Sequence, residues 1–84
     1  MAKGTIRYWA AAREAAGVGE EPYDASTLAE ALGTARAGRG VDFDRVVARS
    51  SFLVDGHPVG VRAHDVVTLP EGGTVEVLPP FAGG

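Results

Sequence analysis

The residues that could carry chemistry in this 84-residue chain lie at its end, where Phe81 and Ala82 are followed by Gly83 and Gly84. The chain has no cysteine and only two histidines, which excludes disulfides, a thiolate zinc site, a nucleophilic thiol and a histidine-rich metal site. Because glycine lacks a Cβ atom, a Gly-Gly segment can enter a channel too narrow for other residues. The carboxylate of Gly84 is therefore the candidate reactive group.

A carboxylate is a poor electrophile, so it must be activated before it can accept a nucleophile. Transfer of AMP from ATP would convert it into a mixed anhydride with a good leaving group. A persulfide sulfur could then displace AMP and leave a thiocarboxylate on Gly84. This chemistry needs no side chain of the chain itself, so we expect ATP to be used by an activating enzyme and no cofactor to be bound here.

Pro79 and Pro80 separate this tail from the last predicted strand, Thr74–Leu78. Proline cannot donate to a strand ladder, so the strand is expected to end there. The four residues beyond the prolines reach roughly 13–14 Å when extended. We therefore predict a folded domain over residues 1–80 and a flexible tail over residues 81–84. A frayed end without function is the alternative interpretation, since chain termini are commonly disordered.

One main helix is predicted over Thr27–Ala37. Thr27 and Glu30 form a capping-box pattern at its start, and its apolar residues recur at the spacing of one helical face. Strands are predicted at Thr5–Trp9, Glu20–Tyr23, Ser51–Val54, His57–Val61 and Thr74–Leu78. Short helices are predicted at Ala10–Ala16 and at Asp42–Arg49, where Asp42 can act as the N-cap.

Turn and edge signals organise these elements into a sheet. Asp55-Gly56 predicts a two-residue hairpin, and Pro22 predicts that its strand lies at an edge. Strands that outnumber and flank a single main helix favour an α+β fold, a mixed sheet with that helix packed across one face. The expected core is apolar and comprises Ile6, Leu28, Leu32, Val54, Val75 and Val77.

The opposite face of the sheet should expose two large apolar side chains. Alternation along the first strand puts Ile6 and Tyr8 on one side and Trp9 on the other, and alternation along the last strand puts Leu78 outward. Two exposed apolar groups near each other indicate a contact patch for a partner. The alternative explanations are that a loop covers the two side chains or that the alternation is inverted.

Charge and hydropathy exclude several classes of protein. The net charge is −3, and the eight basic residues are scattered without a run that would track phosphates, so no nucleic-acid partner is expected. The longest apolar run is too short to cross a membrane, and no signal peptide is visible. We expect a cytoplasmic protein without a membrane partner.

Two segments resemble a known family. The segment Ile6–Gly17 consists of an apolar strand, an aromatic residue, alanine, Arg13-Glu14 and a glycine. This order resembles the opening of the small subunit of molybdopterin synthase. Leu78–Gly84, an apolar residue, Pro-Pro, two variable residues and Gly-Gly, resembles its ending. The chain is thus similar to the MoaD/ThiS family of sulfur carriers, which have the ubiquitin-like β-grasp fold. Little is shared between Ala35 and Ser50.

The resemblance implies a sulfur-donor subunit without catalytic residues of its own. An E1-like enzyme would adenylate Gly84, and the resulting thiocarboxylate would feed a larger molybdopterin synthase subunit. Arg13 matches an arginine of the family and would orient the partner, although a solvated helix charge explains it nearly as well. The residues expected to bind partners are those of the patch and the tail: Trp9, Arg13, Leu78, Pro79, Pro80, Phe81 and Ala82, followed by Gly83 and Gly84 as the carrier.

Three other functions stay open from the sequence. The sulfur could serve thiamin thiazole, cysteine or another thio-metabolite, although thiamin carriers typically lack the helix opening seen at Ala10–Glu14. The chain could be a ubiquitin-like modifier that joins Gly84 to lysines. It could also be a plain interaction module, for which the tail would be dispensable.

Overall fold

The computed structural model describes residues 1–80, and its centre is a mixed five-stranded sheet in the order β2-β1-β5-β3-β4. The strands β1 and β5 are parallel, and every other neighbouring pair is antiparallel. This confirms the predicted fold class and the edge position of β2. The strands are β1 (Ala2–Tyr8), β2 (Glu20–Ala25), β3 (Ser51–Val54), β4 (His57–Pro58) and β5 (Thr74–Leu78).

Three α-helices and one short 3-10 helix (His64–Val66) connect the strands within residues 1–80. The α-helices are α1 (Ala10–Ala16), α2 (Leu28–Arg36) and α3 (Val41–Arg49). The capping box of α2 is confirmed, because the Glu30 backbone N–H donates to Thr27 Oγ1 at 3.2 Å and the Thr27 backbone N–H donates to Glu30 Oε1 at 3.1 Å. None of the helices within residues 1–80 is long and apolar enough to span a membrane.

The start of α3 differs from the prediction that Asp42 is its N-cap. Gly40 occupies the cap position with φ +90°, and α3 begins at Val41 without a side-chain cap. Glycine adopts this backbone conformation without steric cost, so the helix starts earlier than the aspartate. Asp42 and Asp44 lie in the first turn instead, where negative charge interacts favourably with the helix dipole.

The core lies between the helices and one face of the sheet. Ile6, Leu28, Val75 and Val77 are at most 2% exposed and Leu32 is 5% exposed, as predicted, whereas Val54 near the hairpin is only partly buried. The ring of Phe43 on α3 meets that of Tyr8 on β1 edge-on, with centroids 5.6 Å apart. The other core residues are Ala12, Tyr23, Ala25, Ala31, Ala35, Val47, Phe52, Val59, Val67 and Leu69.

The hairpin at Asp55-Gly56 is confirmed, with φ +49° and +81° at its two central residues. The predicted return strand over His57–Val61 is wrong in its length, since only His57–Pro58 pairs with β3. The cause is Gly60, whose φ of +62° turns the chain away from the sheet.

Each edge strand carries a proline at a position where the backbone nitrogen points away from the neighbouring strand. Pro22 of β2 lies opposite Thr5, between hydrogen-bonded pairs of the ladder. Pro58 of β4 lies opposite Leu53 in the same way. Because alternate residues of an antiparallel edge strand point their N–H groups outward, each proline removes one outward donor.

Candidate partner-binding site

The face of the sheet away from the helices, which we call the open face, presents Trp9 and Leu78 side by side. The Trp9 backbone N–H donates to the Val77 carbonyl at 3.2 Å, which sets Trp9 at the register position next to Leu78. The Trp9 side chain is 41% exposed, Leu78 is partly buried and Pro80 is exposed. The geometry needed for the predicted patch is present, and its role in binding stays a prediction.

The indole of Trp9 is held in place by two charged neighbours. Its Nε1–H donates to Glu76 Oε2 at 3.0 Å, and the Arg7 guanidinium carbon lies 5.0 Å from the ring centroid. Arg7 and Glu76 are partners across β1 and β5. The alternation along β1 that puts Trp9 on this face puts Arg7 there too, but Arg7 was not among the predicted site residues.

Two surface pockets adjoin this patch, and Arg13 lines both. The first, of about 370 Å³, also has Arg7, Trp9 and Glu20 in its walls. The second lies along α1 and ends at Pro80. Arg13 is exposed, so both pockets are open to solvent. The structure therefore brings five sequence-predicted residues to one region: Trp9, Arg13, Leu78, the partly buried Pro79, and Pro80.

The remaining predicted site residues, Phe81, Ala82, Gly83 and Gly84, lie outside the residues that the structure describes. Their starting point is well defined, because β5 is the third of five strands and pairs with both β1 and β3. The predicted tail over residues 81–84 and its role in carrying sulfur stay predictions.

The adjacent acids Glu20 and Glu21 point to opposite faces, because side chains alternate along β2. Glu21 lies on the helix side, where it accepts hydrogen bonds from Arg39 Nη1 at 2.6 Å and Nη2 at 2.9 Å and from the Tyr8 hydroxyl. The Arg39 guanidinium lowers the pKa of the Glu21 carboxyl, and burial raises the pKa of the Tyr8 hydroxyl. A carboxylate bound in this way supports the fold and is not free for acid–base chemistry.

No protein-family model and no curated protein matches this sequence. Solved structures match its fold over nearly the whole chain. Small archaeal modifier protein 1 from Methanosarcina acetivorans superposes with a TM-score of 0.84 at 20% identity, over 100% of this chain and 98% of that one. The chain has the ubiquitin-like β-grasp fold.

Two further β-grasp structures extend the comparison. The putative molybdopterin converting factor subunit 1 from Pyrococcus furiosus has a TM-score of 0.78 at 24% identity, over 96% of this chain and 100% of that one. Small archaeal modifier protein 1 from Haloferax volcanii has a TM-score of 0.79 at 20% identity, over 98% and 99%. At these identities the likeness establishes the fold, and the predicted ubiquitin-like β-grasp fold is confirmed.

Proposed function

We propose that this β-grasp chain is a sulfur carrier that donates sulfur in molybdopterin biosynthesis as the small subunit of molybdopterin synthase. An E1-like enzyme adenylates Gly84, whose carboxylate becomes the thiocarboxylate. The observation that carries the proposal is the end of β5, a central strand that stops beside the exposed Trp9, together with the sequence that follows it, Pro79-Pro80 and then Phe81–Gly84. The fold shared with a molybdopterin converting factor subunit supports it.

A tail that starts from a central strand starts from a fixed point. The end of β5 is held on one side by the hydrogen bond from Trp9 to Val77 and on the other by the pairing of Leu78 with Ser51. A partner that docks on Trp9 and Leu78 can therefore receive the Gly84 carboxylate at a distance of at most the roughly 13–14 Å that four extended residues span.

The proposed chemistry balances as follows. The Gly84 carboxylate attacks the α-phosphorus of ATP, forming an acyl adenylate and releasing pyrophosphate. The terminal sulfur of a donor persulfide then forms a C–S bond as AMP leaves. A thiol finally cleaves the S–S bond, which leaves a thiocarboxylate on Gly84 and a disulfide on the donor side.

The lack of cysteine gives this proposal a clean test. The 84-residue chain is incubated with the E1-like enzyme of its own organism, ATP and a persulfide donor, and is then treated with iodoacetamide. Intact-mass spectrometry is expected to show one oxygen exchanged for sulfur and one alkyl group added, and fragmentation should place both on Gly84. Alkylation separates sulfur loading from methionine oxidation, which changes the mass by nearly the same amount.

Deletion of Gly84 is the matched control for the loading assay. Losing one residue shortens the reach by about 3.3–3.6 Å, and a displacement near 1 Å can already cost about a hundredfold in rate. The truncated chain should therefore not load. Full loading of the truncated chain, or no loading of the intact one, would contradict the proposal.

The patch has its own test by calorimetry with the same E1-like enzyme. Trp9→Ala and Leu78→Ala should each weaken binding, because well-packed apolar anchors often contribute about 2 kcal/mol or more. Val41→Ala is the matched control, since Val41 is an exposed apolar residue on α3, outside the patch. Unchanged affinity of both patch variants would remove the patch from the proposed site.

A ubiquitin-like modifier is the second candidate function, favoured by the fold shared with two proteins called small archaeal modifiers. In that case Gly84 would form isopeptide bonds with lysines, and cells would contain larger covalent adducts of the chain. Lys3 is the only lysine in the sequence, so Lys3→Arg removes side-chain self-conjugation while leaving adducts with other proteins. Adducts that end at Gly84 would favour the modifier over the carrier.

A further inference from the structure

Two arginines near Trp9 have no acceptor for their side chains among residues 1–80. Arg7 on β1 and Arg13 on α1 line the 370 Å³ pocket together with Trp9. Both are exposed, and neither makes a side-chain hydrogen bond or an ion pair with any residue in 1–80, although Glu20 lines the same pocket. The other wall residues are Tyr8 and Gly19.

The Arg7 guanidinium nonetheless contacts the Trp9 ring, over which it lies at 5.0 Å from the centroid, a cation–π distance. Arg13 lies beside Gly19, where an added Cβ would be at an ordinary contact distance of 3.4 Å from Arg13 Nε. A cation–π contact uses none of the five N–H donors of a guanidinium, so those of Arg7 are available to an outside acceptor.

We propose that Arg7 is a specificity-determining residue of the open face, which binds a carboxylate of the partner protein in this pocket. The inference deepens the proposed function and rests on it, because the partner meant is the enzyme that activates Gly84. It concerns a position that the family resemblance did not single out.

The chemistry of the partner follows from what docking would bury. Glu76, the acid paired with Arg7 across the strands, already accepts from the Trp9 indole. A partner that covers Trp9 would therefore desolvate a guanidinium with no acceptor, which is costly unless the partner supplies one. A carboxylate can accept two parallel hydrogen bonds from the planar guanidinium group of arginine. We therefore expect the partner surface that fits this face to carry an acidic side chain next to apolar residues.

The test compares charge reversals by isothermal titration calorimetry of the full chain with the E1-like enzyme, without ATP. Arg7→Glu should raise Kd roughly tenfold or more, because like charges facing each other across an interface are strongly unfavourable. Arg45→Glu is the control, since Arg45 is exposed on α3 and the net charge changes equally. Arg7→Lys keeps the charge but loses the pair of parallel N–H donors, so its Kd should lie between those of the original chain and Arg7→Glu.

Rescue distinguishes specificity from general damage. An Asp or Glu of the enzyme that faces the patch, replaced by Arg, should restore binding of Arg7→Glu and weaken binding of the original chain. Circular dichroism melts check folding, and Arg7→Gln replaces Arg7→Glu if the reversal unfolds the domain. Equal effects of the Arg7 and Arg45 reversals, or no rescue by any acid of the docking face, would overturn the inference.

Sulfur loading separates this inference from the proposed function. If the intact chain loads at Gly84 while Arg7→Glu binds with unchanged Kd, the inference is wrong and the proposed function stands. If Arg7→Glu weakens binding but Gly84 never loads, Arg7 determines the partner and the carrier function is wrong. If the intact chain does not bind the enzyme, both are wrong.

Discussion

Replacing Glu21 by glutamine removes the negative charge that ties Arg39, in the connection between α2 and α3, to the edge strand β2. The Arg39 and Glu21 side chains are only 21% and 24% exposed, and two N–H groups of Arg39 reach the two carboxylate oxygens. The Tyr8 hydroxyl donates to the same carboxylate. Glutamine keeps the shape of the side chain but offers Arg39 a neutral acceptor.

The magnitude follows from this geometry. Hydrogen bonds to charged groups contribute about 1.5–3 kcal/mol, and partial exposure reduces the sum, so Glu21→Gln should lower the free energy of unfolding by about 2 kcal/mol. For a domain of this size that corresponds to a fall in Tm of about 8–16 °C. Asp44→Asn is the matched control, because the Arg36–Asp44 pair is 52% and 40% exposed. Exposed pairs contribute only about 0.2–1 kcal/mol.

The pH dependence gives a second measure of the same contact. Arg39 lowers the pKa of Glu21 in the folded chain below its ordinary value. The stabilisation is therefore complete above the unfolded pKa, about 4.3, and is lost as the pH falls through the lowered folded pKa. Urea unfolding at pH 7 and at acid pH should show the difference between the original chain and Glu21→Gln shrinking on acidification. A loss no larger than that of Asp44→Asn, or one independent of pH, would refute this reasoning.

Thermal and urea unfolding test four further substitutions. Gly4→Ala should destabilise the fold by about 3 kcal/mol or unfold it, because the new Cβ would overlap the Gly73 carbonyl and the Tyr23 ring. Gly33→Ala is its control: this helical glycine has open space around it, so alanine should stabilise by about 0.4–1 kcal/mol. Thr27→Ala removes the α2 cap and should cost about 1 kcal/mol. Ala10→Gly should stabilise by up to about 1 kcal/mol, because Ala10 has φ +47°; a loss of stability would contradict strain there.

The parts of the fold that were predicted correctly depend on contacts between neighbours in the chain. The capping box of Thr27 and Glu30 involves residues three apart, and Asp55-Gly56 forms its turn with its own backbone. Alternation within one strand likewise decides which side chains face the core. These local interactions do not depend on how the rest of the chain is arranged, so they could be predicted from the sequence.

The parts that were missed depend on strand order or on competition between local signals. Arg39 meets Glu21 across 18 positions, and Arg7 faces Glu76 only because β1 pairs with β5 in parallel. No local pattern encodes either pairing. At the start of α3, only Asp42 was predicted as the cap, and the backbone conformation that glycine allows puts Gly40 in that position instead. The placement of Trp9 and Leu78 on one face was predicted correctly because alternation alone sets their direction, whereas the contact of Arg7 with the Trp9 ring was not foreseeable.

The prolines at the two sheet edges, Pro22 and Pro58, limit how copies of this molecule can meet. If a second strand paired with either edge, one of its carbonyl groups would face a proline in the middle of the contact and find no N–H donor. The sheet therefore resists growth into ribbons or fibrils. The proposed carrier function requires a protein that stays available as single molecules even when it is abundant. Because the prolines disfavour strand pairing at both edges, other molecules contact the faces of the sheet instead. The open face is the one that adjoins Pro80, after which the predicted tail begins.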